Sequence, residues 1–259
     1  MLDAPHRTDD ETPEGRATDA SSPTGQTRRR LLGRAGAGLL TVGGAAVFLD
    51  GVDVAAAADS PARILPFLTA QECFGVTFLT EAVRRAPGTP SKKFLPVLKA
   101  ANTTEFDHVR ALERIGGRPL TTRFWIPDAA FDHGRVGLFE AIEKVETIEI
   151  SLYLVGVTAF ALKRDPFKAR LCAEALGTES EHRVLARAAQ VMLGKKIGAP
   201  NNTGFEAYHQ RSTKAARHAL EALGIGYDAK SSKPGAFYNY PGDPLANGTG
   251  TRVTSNRPA

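Results

Sequence analysis

The sequence predicts an all-α protein: a four-helix bundle made of two antiparallel hairpins joined by a long crossover, with a short extra C-terminal helix. Three observations predict it. Four long stretches carry apolar residues at helical spacing, and no run of alternating strand pattern lies between them. The first and third links are a few residues long and the middle one is not, so the two outer pairs are hairpins and the middle link crosses over.

The first helix is read from Thr69, taken as its N-cap, to Ala86, with Pro87-Gly88 ending it. The second runs from near Phe94 to Ile115 and stops at Gly116-Gly117; Pro96 fits its first turn, where a missing N–H costs nothing. After a crossover from Gly117 to Arg135, the third runs from Val136 to Lys163 and is closed by Asp165-Pro166. The fourth continues to Leu193, ending at Gly194, and a short fifth covers Ser212 to Leu223. This divides the chain into a lead-in (59–68), the bundle (69–194), an extension with one short helix (195–229) and a tail (230–259). The tail is rich in Gly, Pro, Asn, Ser and Thr, which predicts an irregular or disordered segment.

Residues 1–58 differ in composition from the rest. A polar leader reaches Arg28-Arg29-Arg30, an uncharged run of Ala, Gly, Leu and Val from Ala35 to Leu49 follows, and Ala55-Ala56-Ala57-Ala58 offers a cleavage site before Asp59. The run is shorter than the roughly twenty apolar residues that span a bilayer. The segment resembles a twin-arginine export signal, removed near Ala58. It predicts the twin-arginine export machinery as a partner, an extracytoplasmic location (secreted, envelope or periplasm) and no permanent membrane anchor. Without it the chain holds 27 basic and 20 acidic groups, a formal +7, scattered rather than clustered, so no nucleic-acid partner is expected. Cys73 and Cys172 form no CxxC pair and read as buried thiols.

The second helix contains Glu105-Phe106-Asp107-His108 and the fourth Glu179-Ser180-Glu181-His182, each an ExxH. Residues three apart share a helix face, so each carboxylate and imidazole can reach one point. A third ExxH, Glu206 to His209, lacks a surrounding apolar stripe and reads as a surface pair. With 15 Glu and 6 His in the chain, about 0.35 such pairs arise by chance. Leu112 and Ile115 follow His108 at helical spacing, and Cys172, Ala175 and Leu176 precede Glu179, which turns both motifs inward. Buried carboxylates cost several kcal/mol unless paired or bound to metal. The first helix adds Glu72, on a face with Leu68, Gly75, Val76 and Leu79. The third adds Glu149, flanked by Ile142, Val145, Leu152 and Tyr153, with Glu146 the alternative one turn away.

One Glu, one ExxH, one Glu and one ExxH, each on its own helix in chain order, is the ligand pattern of bundle di-iron and di-manganese carboxylate proteins. On these residues the chain resembles the bacterial exported ferritin-like proteins of the desiccation-related type. The similarity covers Thr69 to Leu193, with Glu-Phe-Asp-His-Val-Arg-Ala-Leu and Glu-Ser-Glu-His as its strongest segments. The resemblance implies a ferritin-like fold and a metal site of Glu72, Glu105, His108, Glu149, Glu179 and His182 holding two ions, Fe or Mn, both of which suit O/N donors. Related sequences commonly carry a second glutamate one turn after the first, where this chain has Gly75. Oxidase, ferroxidase or peroxide-consuming activity is the implied chemistry, in a chain able to form a homo-oligomer. The alternative is a non-catalytic envelope or stress-related scaffold using the same fold.

Overall fold

The computed structural model describes residues 59–132, 136–195 and 197–255, so the segment read as an export signal and its expected cleavage site lie outside the described residues. The described chain is mostly helical. Helix α1 spans Pro61–Arg85, α2 Leu95–Arg114, α3 Gly137–Leu162, α4 Pro166–Met192 and α5 Thr213–Leu223. α1 packs along α2 and α3 along α4, and the two pairs meet chiefly through α1 against α3. The expected hairpins and crossover are therefore present.

Helix ends follow local chemistry. Asp165 caps α4 by accepting the Lys168 amide at 3.1 Å, and Ser212 caps α5 by accepting that of Ala215 at 3.1 Å. Gly194 and Gly224 close those helices at φ 94° and 96°, a region that favours glycine. α1 departs from expectation by beginning eight residues before Thr69. Its start is Ser60-Pro61, and Thr69 lies inside the helix, its hydroxyl donating to the Leu65 carbonyl at 2.8 Å. A threonine that bonds back one turn has no hydroxyl left for capping.

The helical bundle agrees with the all-α expectation, and a small three-stranded antiparallel sheet, absent from that expectation, is added to it. Strand β1 (Arg123–Pro127) sits in the crossover between β2 (Gly226–Tyr227) and β3 (Gly235–Asn239), in the order β2-β1-β3. Phe124 pairs with Tyr227 on one side and Tyr238 on the other. Strands this short carry no period, and their partners are about a hundred residues away, so neither signal is local. The sheet covers the face of α1 turned away from the bundle: Phe124 meets Phe74 edge-on at 5.7 Å and Tyr227 meets Phe67 at 5.6 Å. α1 is consequently buried without a break from Phe67 to Thr80.

The tail supplies β3, and its other residues from 230 to 255 run in turns and irregular backbone that return to the bundle. Thr249 is buried, and the Asn102 amide donates to its carbonyl at 3.2 Å and hydroxyl at 3.0 Å. Asn102 also donates to Thr80 on α1, so one amide joins α1, α2 and the tail. α3 is long and apolar enough to cross a membrane, but two thirds of its apolar window is buried among the other helices, as in a core helix.

Candidate metal centre

Six carboxylates and imidazoles from four helices meet in the interior. Atoms of Glu72, Glu105, His108 and Glu179 lie within 4.8 Å of one another, as do atoms of Glu105, Glu146, Glu179 and His182. Each group has its own glutamate and histidine, while Glu105 and Glu179 belong to both. The Glu179 carboxylate shows the sharing directly: Oε1 lies 2.7 Å from Nδ1 of His108 and Oε2 3.1 Å from Nδ1 of His182. On the other side, Nδ1 of His182 is 2.9 Å from Glu105 and Nδ1 of His108 is 3.3 Å from Glu72.

Of the residues expected from sequence, Glu72, Glu105, His108, Glu179 and His182 stand in these groups. Glu149 does not: Glu146, one turn earlier on α3, takes that place. Glu149 is buried beside the groups, where the charges of Glu105, Glu72 and Glu179 act on it. A signal for Glu146 exists in the sequence. Glu72, Glu105 and His108 recur at an offset of 74 residues as Glu146, Glu179 and His182, and Thr104-Glu105-x-Asp-His108 recurs as Thr178-Glu179-x-Glu-His182. At that offset the counterpart of Glu149 is Gly75, whose absent side chain leaves room for Glu105; a Cβ there would lie 2.9 Å from Oε2. The two hairpins thus present one ligand set twice.

The surroundings orient the ligands. Thr104 on α2 donates its hydroxyl to the Ala101 carbonyl at 2.8 Å, so toward His182 it acts as the acceptor, at 2.8 Å from Nε2. That points an Nε2 proton of His182 at Thr104 and turns Nδ1 toward Glu105 and Glu179, where it is hydrogen-bonded to Oε2 of Glu179 at 3.1 Å. Tyr153, fully buried on α3, donates its hydroxyl to Oε1 of Glu72, leaving Oε2 on the His108 side. Cys73 and Cys172 are free buried thiols, pushed up to about 12 by burial.

Burial raises Glu72, Glu146 and Glu149 well above the ordinary carboxylate range, and neighbouring carboxylates reinforce it. For Glu179 burial acts the same way but is outweighed by His108 and His182, and its carboxyl is held far below the usual range. Burial opposes charging both imidazoles, yet the carboxylates around them leave each raised above its ordinary value. Even so, the groups do not satisfy one another. Oε2 of Glu72, Glu105 and Glu146, Oε1 of Glu179 and Nδ1 of His108 are buried without a hydrogen bond. Nδ1 of His108 and Oε1 of Glu179 come to 2.7 Å without a hydrogen bond's alignment. Buried polar atoms are normally bonded, and donors converging on shared points while bonding nothing are arranged as cation ligands. The donor set therefore fits a metal.

The third ExxH is corrected. Glu206 and His209 lie on no helix, and Glu206 is half-buried, accepting from Ser180 at 2.6 Å and Arg183 at 2.8 Å on α4. Only His209 is exposed. A polar cavity of about 500 Å³, lined by Asp107, Glu174 and Glu181, reaches His108 and Tyr153 from the surface.

No protein-family model matches the chain, and no curated protein or solved structure is significantly similar to it.

Proposed function

We propose that the chain is an exported ferritin-like protein that holds a dinuclear Fe or Mn centre and acts in redox chemistry toward iron, dioxygen or peroxide. The observation that carries this reading is the pair of Glu–His groups sharing Glu105 and Glu179, with five buried ligand atoms lacking hydrogen bonds. Glu72 and His108 would hold one ion, Glu146 and His182 the other, and Glu105 and Glu179 would lie between them. Four carboxylates and two neutral imidazoles balance two divalent cations, and O/N donors suit Fe or Mn. When bound, such a pair supplies Lewis acidity and one-electron redox steps.

The chain's own groups do the rest. The Tyr153 hydroxyl orients Glu72, and Thr104 orients His182. Burial raises the Glu149 carboxyl well above its ordinary range, which favours its neutral form beside the ligands. Three carboxylates, Asp107, Glu174 and Glu181, against one Arg114 give the cavity a net negative lining that favours cations on the way to His108. The ferritin-like assignment is supported by the two hairpins, their crossover and one ExxH per hairpin, and the location outside the cytoplasm by the arginine-led segment before Asp59.

Metal analysis of the purified protein after metal-replete expression tests the reading. Near two Fe or Mn per chain is expected, and less than about 0.2 overturns it.

A further inference from the structure

Next to the second Glu–His group the bundle interior is not filled. A cavity of about 120 Å³ lies among α1, α2, α3 and α4, and Glu146 and His182 are its only ionisable lining residues. Its walls follow from helical spacing. Ala101 and Leu98 lie one and two turns before Glu105, Ile142 and Phe139 one and two turns before Glu146, and Ala186 and Ala189 one and two turns after His182. The cavity therefore occupies the next two layers of the same bundle interior.

Alanines leave the space open. At the 74-residue offset the counterparts of Ala186 and Ala189 are Leu112 and Ile115, which pack into the core at the other end of the repeat. The two ends of the duplicated ligand set thus differ: Leu112 and Ile115 stand on the His108 side, which the 500 Å³ cavity reaches, and alanines leave a smaller apolar void on the His182 side. At the void's mouth Val97, Leu185 and Met192 keep 36%, 38% and 63% of their surface in solvent, an apolar rim that opens outward. A void that serves nothing costs stability, and native cores hold few larger than a water molecule. Lined by hydrocarbon, it does not hold water well; an engineered apolar cavity of about 150 Å³ stays dry and binds benzene.

We infer that this cavity is a binding site for a small uncharged apolar molecule of about benzene's bulk, held against Glu146 and His182. The apolar walls supply affinity, and the two polar residues at the inner end place the ligand beside the second ligand group. The inference adds a ligand class beside the site proposed above and rests on that reading only for the ligand's adjacency to a metal.

The test uses the full-length chain stripped of metal by chelation and, in parallel, loaded with iron. Benzene is the probe, and 1,4-dioxane, a ring with the same number of heavy atoms and two ether oxygens, is the polar control. Benzene is expected to raise the thermal midpoint of the metal-free protein saturably, and dioxane is not. Ala101→Leu on α2 and Ala189→Leu on α4 each fill the void, and each is expected to weaken benzene binding at least about tenfold with an unchanged circular dichroism spectrum. No saturable benzene effect on the wild type, an equal effect of dioxane, or unchanged benzene affinity in the folded variants overturns the inference. Because these readouts use metal-free protein, they fail or succeed independently of metal content. In the iron-loaded protein benzene is expected to shift the ligand-field absorption, and an unchanged spectrum at saturation overturns the placement beside the metal.

Discussion

Tyr153 and Glu72, on α3 and α1, form a buried pair in which the phenol donates to one carboxylate oxygen and leaves the other facing His108. Replacing Tyr153 with Phe removes the donor and leaves a buried acceptor unpaired. The metal-free protein is expected to lose about 1–3 kcal/mol, read from urea unfolding at constant m-value. A loss under about 0.5 kcal/mol would show that the pair holds nothing in place.

Thr104 accepts from Nε2 of His182 and holds the ring with Nδ1 toward the carboxylates. Thr104→Val keeps the shape and deletes the acceptor, so affinity for the metal is expected to fall about 10- to 100-fold while the fold persists. Competition with a calibrated chelator measures it, and an unchanged constant would remove Thr104 from the site's support.

Glu146 and Glu149 are separated by one turn, and of the two Glu146 stands in a ligand group with the shared carboxylates. Glu146→Gln is expected to lower the stoichiometry from about two ions toward one, whereas Glu149→Gln is expected to keep two, since Glu149 stands in neither ligand group. The reverse order would return the site to the assignment made from resemblance.

The metal-free protein is expected to lose stability as pH rises. Glu72, Glu146 and Glu149 titrate above their ordinary 4.5 in the folded state. Above that value the unfolded chain has released protons that the folded chain still binds, so stability falls with pH until these groups ionise as well. His108 and His182 titrate above their ordinary 6.5, so their contribution is whole below that value and lost as pH rises through the folded values. Glu179 runs the other way: its contribution is present above 4.5 and lost on acidification. Bound cations replace the protons, so the gap in thermal midpoint between loaded and metal-free protein should widen from about pH 5 to about pH 8. A gap that narrows over that range would contradict the assignment.

Export depends on few residues and is tested separately. Changing Arg28, Arg29 and Arg30 together to Lys keeps the charge but removes the guanidinium fork. The triple variant is expected to accumulate uncleaved in the cytoplasm, while the wild type appears outside it beginning near Asp59. Fractionation with N-terminal sequencing decides, and efficient export of the variant would replace the twin-arginine reading with a general secretory one.

The sequence by itself determined the four long helices, their pairing and the inward turn of both ExxH motifs, because a 3.6-residue period and short Gly- and Pro-marked links are local properties. Helices α2 to α5 end within a few residues of where period and caps place them. Tertiary structure alone decided the sheet, since β1 finds Tyr227 and Tyr238 across about a hundred residues and no short-range pattern records such a pairing. It also decided that the tail is ordered, because Thr249 is held by Asn102 of α2 and Thr80 of α1, contacts that composition does not register. The choice between Glu146 and Glu149 sits between these cases. Both lie on the buried side of α3, so periodicity cannot separate them, although the 74-residue recurrence of the other ligands marks Glu146. What selects it physically is distance: only one turn of α3 brings a carboxylate to Glu105, Glu179 and His182 at once.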